Sequence, residues 1–172
     1  AATVERLNVS AAERVAQIAL NMERLRVDGS ERPATRVEVN VPDATAVLFK
    51  ENVQVLKMNE VVGAPGHDTQ SLTSMIDTIV LNPPWHIPRS IIEGEIKPIL
   101  KRNPNYLTEN RMYWSGEYLI QEPGPQNALG RIKFEFPNRY SVYLHDTPAR
   151  KLFTSPERAQ SHGCVRLERP LD

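Results

Sequence analysis

Apolar residues recur along this chain with two different periods, and the first of them is helical. Between Ser10 and Arg26 they fall at helical spacing, at Val15, Ile18, Ala19, Met22 and Leu25. Ser10, with Glu13 three residues later, has the form of a capping box. The pattern predicts an amphipathic helix over residues 10–26 that packs on the rest of the protein. Turn-forming residues follow at 28–33, so residues 1–34 are assigned to an N-terminal helix and linker.

From residue 36 onward the apolar period changes to two, which is typical of strands. The predicted strands are Arg36–Val41, Thr45–Lys50, Val53–Met58 with a continuation to Gly63, Asp77–Asn82, Arg131–Phe136 and Ser141–His145. Short strands separated by frequent turn signals indicate a mainly β domain with minor α content, of the sandwich or barrel-like kind, over residues 35–172.

One segment interrupts this strand pattern. Residues from about 84 to 120 are rich in proline and carry one short helical pattern near Ser90–Leu100. Long insertions of this kind are often lids or binding loops. We expect a lid subdomain there, with few ladder hydrogen bonds and more mobility than the β core.

Composition narrows the classes of function. The chain has 172 residues, of which 21 are basic and 21 acidic, so its formal net charge is zero. That balance argues against a nucleic-acid partner, which would need a basic excess. No apolar run approaches the roughly 18 residues of a membrane span, and the first residues do not form a signal peptide. A single cysteine excludes an internal disulfide and a Cys-rich zinc site.

The residues that could take part in a reaction are in the segment Ser161-His162-Gly163-Cys164 and at His145, which lies 19 residues before Cys164. A thiol attacks as its thiolate and needs a base, and His145 at a strand end is a candidate. Glycine at 163 allows close backbone approach, so the N–H groups of His162 and Gly163 could bind an oxyanion. The alternatives are a buried structural thiol and a structural histidine.

Other side chains could complete a site around this thiol. Tyr143 shares a strand face with His145, and it could line the site or pack in the core. Arg166 could hold a substrate carboxylate or a structural one such as Asp146. Trp85 and Trp114 could cover a peptide from the insert or belong to its own core. His67 and His86 are isolated in sequence, so we expect no metal site.

The ordered set of motifs resembles the L,D-transpeptidase catalytic domain, the YkuD type, over residues 35–170. The signature is His145, a spacer, and then Ser-His-Gly-Cys followed by Val165 and Arg166. The segments Leu81-Asn82-Pro83-Pro84-Trp85, Pro123-Gly124-Pro125, Asn127-Ala128-Leu129-Gly130-Arg131 and Leu144-His145-Asp146-Thr147-Pro148 also match the long Gram-negative subgroup, which has a lid. Members usually continue beyond the point that corresponds to Asp172, so we expect a trimmed chain.

The resemblance implies a cysteine acyltransferase that acts on peptidoglycan stem peptides in the periplasm or cell envelope. Cys164 would be the nucleophile and His145 the base, with His162 and Gly163 at the oxyanion site. Six further side chains would contact the substrate: Tyr143, Ser161, Asp146, Arg166, Trp85 and Trp114. A thioester from a tetrapeptide stem would pass to a second stem's amine (a 3→3 cross-link), to water, or to an envelope-protein lysine. Carbapenems would acylate the same thiol, and no cofactor or metal would be needed.

Two other classes stay open from the residues. One is a catalytically silent peptidoglycan-binding domain that has kept the fold, although the intact pair of His145 and Cys164 argues against it. The other is a papain-like thiol hydrolase, which the strand-rich sequence before the cysteine disfavours. An adduct on Cys164 after incubation with a carbapenem would separate the transferase from the binding domain.

Overall fold

One long strand organises the sheet of this protein. The computed structural model describes residues 8–27 and 32–172. Strand β1 (Arg36–Asn40), strand β2 (Thr45–Lys50) and strand β3 (Val53–Gly63) form an antiparallel meander. The turn between β2 and β3 holds Glu51 and Asn52 at φ 52° and 62°. Two successive residues with positive φ form a hairpin turn whose twist matches that of the two strands it connects.

The second half of β3 changes partners, and this change brings the segment that contains Ser161 and Cys164 into the sheet. Strand β11 (Val165–Leu167) pairs antiparallel with β3 at Val61 and Glu60, and strand β10 (Ala159–Ser161) pairs parallel with its end. Strand β9 (Leu144–His145) lies parallel to β11, followed by β8 (Ile132–Glu135) and β4 (Thr78–Leu81), both antiparallel. Within the described residues the order is β1-β2-β3-β11-β9-β8-β4, with β10 beside β3.

The two faces of this sheet have different roles. A buried cluster of Ala46, Leu144, Val165 and Leu167 occupies one face. Because side chains alternate along strands, His145 and Arg166 point to the other face, and they lie opposite each other in the β9–β11 register. The apolar side of the motif therefore anchors it in the core, while its polar side faces the site.

The insert is a small folded unit with its own core and a small sheet of its own, in addition to the helical segment expected near Ser90–Leu100. Its elements are β5 (Trp85–His86), α2 (Arg89–Ile91), a π-helical turn (Ile92–Ile96), α3 (Lys97–Leu100), α4 (Tyr106–Glu109), β6 (Met112–Ser115) and β7 (Tyr118–Gln121). The three strands form a separate sheet in the order β5-β7-β6. Their core contains Ile87, Ile91, Ile92, Ile96, Met112 and Leu119. The prolines lie between these elements or at a helix start, where they cost no ladder bond.

The N-terminal helix forms as predicted but does not pack as predicted. Helix α1 (Ala11–Val27) begins with the capping box: the Ser10 N–H donates to Glu13 Oε2 at 2.9 Å, and the Glu13 N–H donates to Ser10 Oγ at 3.3 Å. Its apolar stripe is exposed, however, with Val15 66% and Leu25 58% accessible. Caps and local pairs sustain the helix without tertiary cover. The predicted linker at residues 28–31 lies outside the described residues.

The chain between β8 and β9 also departs from prediction. Residues 141–143 were expected to continue the strand, but the Asn138 side chain organises this segment as a turn. Its amide donates to the Val142 carbonyl at 2.8 Å and its oxygen accepts from the N–H groups of Tyr140 and Val142. After β9 a 3₁₀ helix (Arg150–Thr154) leads to β10. None of the described helices is long and apolar enough to cross a membrane.

Candidate active site

The loop that carries Cys164 is braced from both sides. Buried Ser161 donates its hydroxyl to the Cys164 carbonyl at 2.6 Å and accepts the Gly163 N–H at 3.1 Å. Thr69 donates to the Gly163 carbonyl at 2.9 Å and accepts from Gly63 N–H at 2.9 Å. Gly163 has φ +106°, a conformation that L side chains rarely adopt. The nucleophile candidate is therefore presented by a loop with a defined shape, and Ser161 acts inside that loop.

The thiol of Cys164 is half-buried and is not in a disulfide. Burial raises the pKa of Cys164 above its ordinary value, while hydrogen bonds from the backbone N–H and the side chain of Tyr143 oppose this rise. Burial also raises the pKa of Tyr143, so its hydroxyl stays protonated and donates to the sulfur. The resting group is consequently a thiol, and attack requires a base.

His145 is buried and has a fixed tautomer. Its Nδ1 lies 2.5 Å from the backbone carbonyl of Asp146, and since a carbonyl can only accept, Nδ1 carries the proton. The Nε2 atom then holds the lone pair. Burial lowers the pKa of His145 to about 4, so the imidazole is neutral at neutral pH. A neutral imidazole with an available Nε2 can accept a proton from the thiol.

The sheet register places the two groups near each other. Val165 N–H donates to the Tyr143 carbonyl at 3.1 Å, which extends the β9–β11 pairing back to Cys164 and Tyr143. His145 is then diagonal to Cys164 on one face of the parallel β9–β11 pair. The ring of Tyr143 lies 5.5 Å from that of His145. The structure thus brings together the three residues that the sequence analysis had grouped.

Two cations flank the pair, and the sequence analysis identified only Arg166. Arg166 is half-buried, and its Nε has no hydrogen-bond partner in the described part of the chain. Burial lowers the pKa of Arg166, and the negative charge of a Cys164 thiolate opposes that fall. Lys133 Nζ lies 4.1 Å from the centroid of the Tyr143 ring and 2.5 Å from Glu135 Oε1. It stands opposite His145 in the β8–β9 register. Both cations lower the pKa of Cys164 and would stabilise its thiolate.

An open groove of about 480 Å³ leads away from Tyr143. Its walls come from β4, β8 and the Asn138 turn. The lining residues are Asp77, Thr78, Lys133, Glu135, Phe136, Pro137, Asn138, Ser141, Val142 and Tyr143. The volume of the groove is large enough for a short peptide segment, and its walls carry both acidic and basic side chains.

Asp146 has a structural carboxylate, and its partner is not Arg166. Its Oδ1 lies 2.8 Å from Arg150 Nη2, and its Oδ2 accepts the Arg131 N–H at 2.9 Å. A Cβ on Gly130 would lie 2.4 Å from Oδ2, which explains glycine there. The possibility that Arg166 binds Asp146 is therefore wrong. Asp146 faces away from the site and contributes to it through its carbonyl, which holds His145.

The insert touches the site at two points. Trp85 makes a side-chain hydrogen bond with Tyr143 that opposes the rise in the pKa of Tyr143, so the indole N–H donates to the phenol oxygen. Glu95 Oε1 lies 2.6 Å from His162 Nε2, whose ring also lies 4.9 Å from that of His67. Nothing in the sequence pattern indicated Glu95. Trp114 lies on β6 opposite Leu119 of β7 and is 49% exposed.

No group of three or more His, Cys, Asp and Glu side chains in the described ranges 8–27 and 32–172 could hold a metal ion. His86 instead packs edge-on against the ring of Tyr118 at 6.5 Å. The candidate chemistry is that of the thiol and its neighbours.

Comparison with known proteins identifies the class of this domain. Residues 34–172 match the family model described as the L,D-transpeptidase catalytic domain, YkuD, and the chain belongs to that family. This confirms the resemblance inferred from the motifs and agrees with the mainly β fold. Membership in the lidded Gram-negative subgroup stays a prediction.

Individual relatives are more distant. The chain is 31% identical over 173 residues to a protein of Haemophilus influenzae (strain ATCC 51907 / DSM 11121 / KW20 / Rd) that is provisionally named L,D-transpeptidase. The match covers 89% of this chain and 35% of the relative, so the chain spans about a third of the relative's length. A solved structure, the Ldtfm–avibactam carbamoyl enzyme, is similar with a TM-score of 0.48 and 13% identity, covering 78% of this chain and 41% of that one. A likeness that distant carries no argument about activity.

Proposed function

We propose that this domain is a peptidoglycan L,D-transpeptidase that uses Cys164 as its nucleophile. The observation that carries the proposal is the thiol–imidazole arrangement on one sheet face. Cys164 is the chain's single thiol, Tyr143 donates a hydrogen bond to it, and buried His145 is held with Nδ1 protonated and Nε2 available. Membership in the L,D-transpeptidase family supports this class of reaction.

In the first step Cys164 attacks the carbonyl of the third residue of a tetrapeptide stem. His145 Nε2 takes the thiol proton as the C–S bond forms. The C–N bond to the terminal D-alanine then breaks, and the same imidazolium returns the proton to the leaving amine. Because both groups are neutral at rest, charge separates only during attack, and Arg166 and Lys133 stabilise the developing thiolate.

For the oxyanion site we propose a pair of backbone donors that differs by one residue from the pair expected from sequence. Gly163 N–H already donates to Ser161, so it is engaged in bracing the loop. Neither His162 nor Cys164 donates its backbone N–H to another group of the described residues. These two N–H groups flank the glycine and are the better donors for the tetrahedral oxyanion. Arg166, whose buried Nε has no hydrogen-bond partner among the described residues, is our candidate for binding a stem carboxylate through its guanidinium.

In the second step an amine of another stem attacks the thioester, which gives a 3→3 cross-link and regenerates the thiol. Water as acceptor would release a tripeptide, and a lysine of an envelope protein would become anchored to the wall. The substrate, peptidoglycan, lies outside the cytoplasm, so we propose a periplasmic or cell-envelope location. A carbapenem should acylate the same thiol.

Intact-protein mass spectrometry tests the proposal directly. Wild-type protein incubated with a carbapenem should gain one adduct mass, and Cys164→Ala, which lacks any thiol, should gain none. The same variant should lose more than 99% of tripeptide formation from a tetrapeptide stem, since loss of a covalent nucleophile costs several powers of ten. A folded wild-type protein that takes up no adduct and leaves the tetrapeptide intact would instead be a silent binding domain.

A further inference from the structure

The insert places one acid beside the catalytic loop. Glu95 lies within the π-helical turn, where Lys97 N–H donates to the Ile92 carbonyl five residues back. Ile92 and Ile96 in this turn are buried in the insert core, so the position of Glu95 is fixed from behind. Single π turns inside helices are frequent at functional sites. This turn directs a carboxylate out of the insert toward the site.

One contact and one charge interaction locate that carboxylate relative to the thiol. Its Oε1 lies 2.6 Å from His162 Nε2. Burial lowers the pKa of Arg166, and the negative charges of Cys164 and Glu95 oppose that fall. His162 and Arg166 are two residues before and two residues after Cys164. Glu95 is not among the groups that shift the pKa of Cys164. The acid therefore borders the reaction centre on the insert side without touching the sulfur.

We infer that Glu95 is a specificity-determining residue that recruits a cationic amine as the acceptor in preference to water. The inference rests on the proposed function, because it concerns the fate of the Cys164 thioester. The second step needs an amine that arrives mostly as its ammonium at neutral pH, and a fixed carboxylate at the rim of the site attracts it. The ammonium releases one proton to Glu95 or solvent before the free amine attacks.

The bond changes then balance. The nitrogen forms the new amide bond, the C–S bond breaks, and the proton lost by the attacking nitrogen passes through His145 to the departing thiolate. Water would follow the same route and give the free acid, but a neutral molecule gains nothing from Glu95. The acid thus changes the ratio of aminolysis to hydrolysis and leaves formation of the thioester largely unaffected.

Glu93 provides a matched control. It lies two residues before Glu95 on the same helical run, and its carboxylate pairs with Lys97 at 2.8 Å. Both acids are about half-exposed, at 49% and 51% of the side chain. Glu93→Gln removes the same charge from the same segment without touching His162. Glu95→Gln keeps an oxygen that can accept from the His162 ring, whereas Glu95→Ala removes both the charge and the acceptor.

The experiment measures the partition of a tetrapeptide donor between tripeptide and acceptor adduct by mass spectrometry. Two acceptors are compared: a lysine derivative, which is an ammonium at pH 7, and an alkoxyamine, which is uncharged. For the lysine derivative we expect Glu95→Gln and Glu95→Ala to lower the adduct-to-tripeptide ratio about fivefold, the size of one exposed charge interaction. The alkoxyamine ratio and the Glu93→Gln variant should stay at wild-type values, and added salt should shrink the wild-type advantage.

Each outcome bears on a separate statement. If wild type forms neither thioester nor tripeptide, the proposed function fails. If thioester forms but Glu95→Gln partitions like wild type while Glu95→Ala does not, then holding the His162 ring is the role of Glu95, and the inference is overturned. An equal loss with the uncharged acceptor, or an equal loss in Glu93→Gln, overturns it as well.

Discussion

Removal of the Tyr143 hydroxyl should change how Cys164 reacts in a way that depends on pH. In Tyr143→Phe the hydrogen bond from the phenol to the sulfur is lost, while the backbone N–H bond of residue 143 stays. Hydrogen bonds to charged groups contribute about 1.5–3 kcal/mol, and we take the lower end because the second donor is retained. The pKa of Cys164, already raised by burial, should rise by roughly one further unit.

Two effects on the alkylation rate follow from that rise. At pH 7 the thiolate fraction falls about tenfold, but a more basic thiolate is also more nucleophilic, with a Brønsted coefficient of about 0.4–0.5. The net result is alkylation about threefold slower than wild type. At a pH above both pKa values each protein is fully ionised, and the variant should be about threefold faster. The two pH–rate curves should therefore cross.

The single cysteine makes iodoacetamide alkylation, followed by intact mass, a clean assay of Cys164. Tyr140→Phe is the matched control, since its exposed hydroxyl contacts Arg139 at 2.7 Å and not the sulfur. The reasoning is refuted if the wild-type and Tyr143→Phe curves have the same midpoint. A uniform change of rate at every pH would also contradict it, because that result reports access to the thiol and not its pKa.

Three further predictions concern the surroundings of the site. Trp85→Phe removes the donor to the Tyr143 hydroxyl, so carbapenem acylation of Cys164 should slow by up to about twofold, less than in Tyr143→Phe, as measured by intact mass over time. Glu60 is fully buried, and burial raises its pKa to about 8 in the folded protein, so the folded state keeps a proton that the unfolded state has already lost between pH 5 and 8. Urea unfolding should therefore show the free energy of unfolding falling across that range by up to ~1.4 kcal/mol per pH unit. The slope should be absent in Glu60→Gln and kept in the surface control Glu117→Gln. Gly130→Ala should destabilise by about 1–3 kcal/mol in the same assay, because Gly130 has φ +61° and its new Cβ would meet the Asp146 carboxylate; no loss would show that this loop relaxes freely.

The sequence could predict the fold where local pattern and tertiary structure agree. The period-two runs in residues 36–63 became strands because each also had a partner and a buried face. The helix at Ala11–Val27 formed because its caps are local, but packing depends on other segments, and its apolar stripe is exposed. In the insert, the sequence predicts a helical segment near Ser90–Leu100, while the separate core that the isoleucines build depends on contacts between segments and is seen only in the structure.

The residues of the site also divide into those that local sequence pattern predicts and those that depend on tertiary structure. The sequence could predict the grouping of Cys164, His145 and Tyr143, because the period-two alternation places them on the same face of two neighbouring strands around a recognisable motif. Lys133 could have been predicted by the same argument, since it lies directly opposite His145 on the neighbouring strand β8. Glu95 could not, because its place depends on a π turn and on the docking of a segment more than sixty residues away in sequence.

The protonation states at rest bear on what the insert does. A half-buried neutral thiol and a buried neutral imidazole do not form an ion pair in advance, so the charge that appears during attack must be stabilised by groups already in position. On one side Trp85 donates to Tyr143, which donates to the sulfur. Glu95, on the other side, contacts His162 and acts on the acceptor amine, not on the sulfur. A variant that deletes the insert should therefore lose reactivity of the Cys164 thiol through the loss of Trp85 and its hydrogen bond to Tyr143.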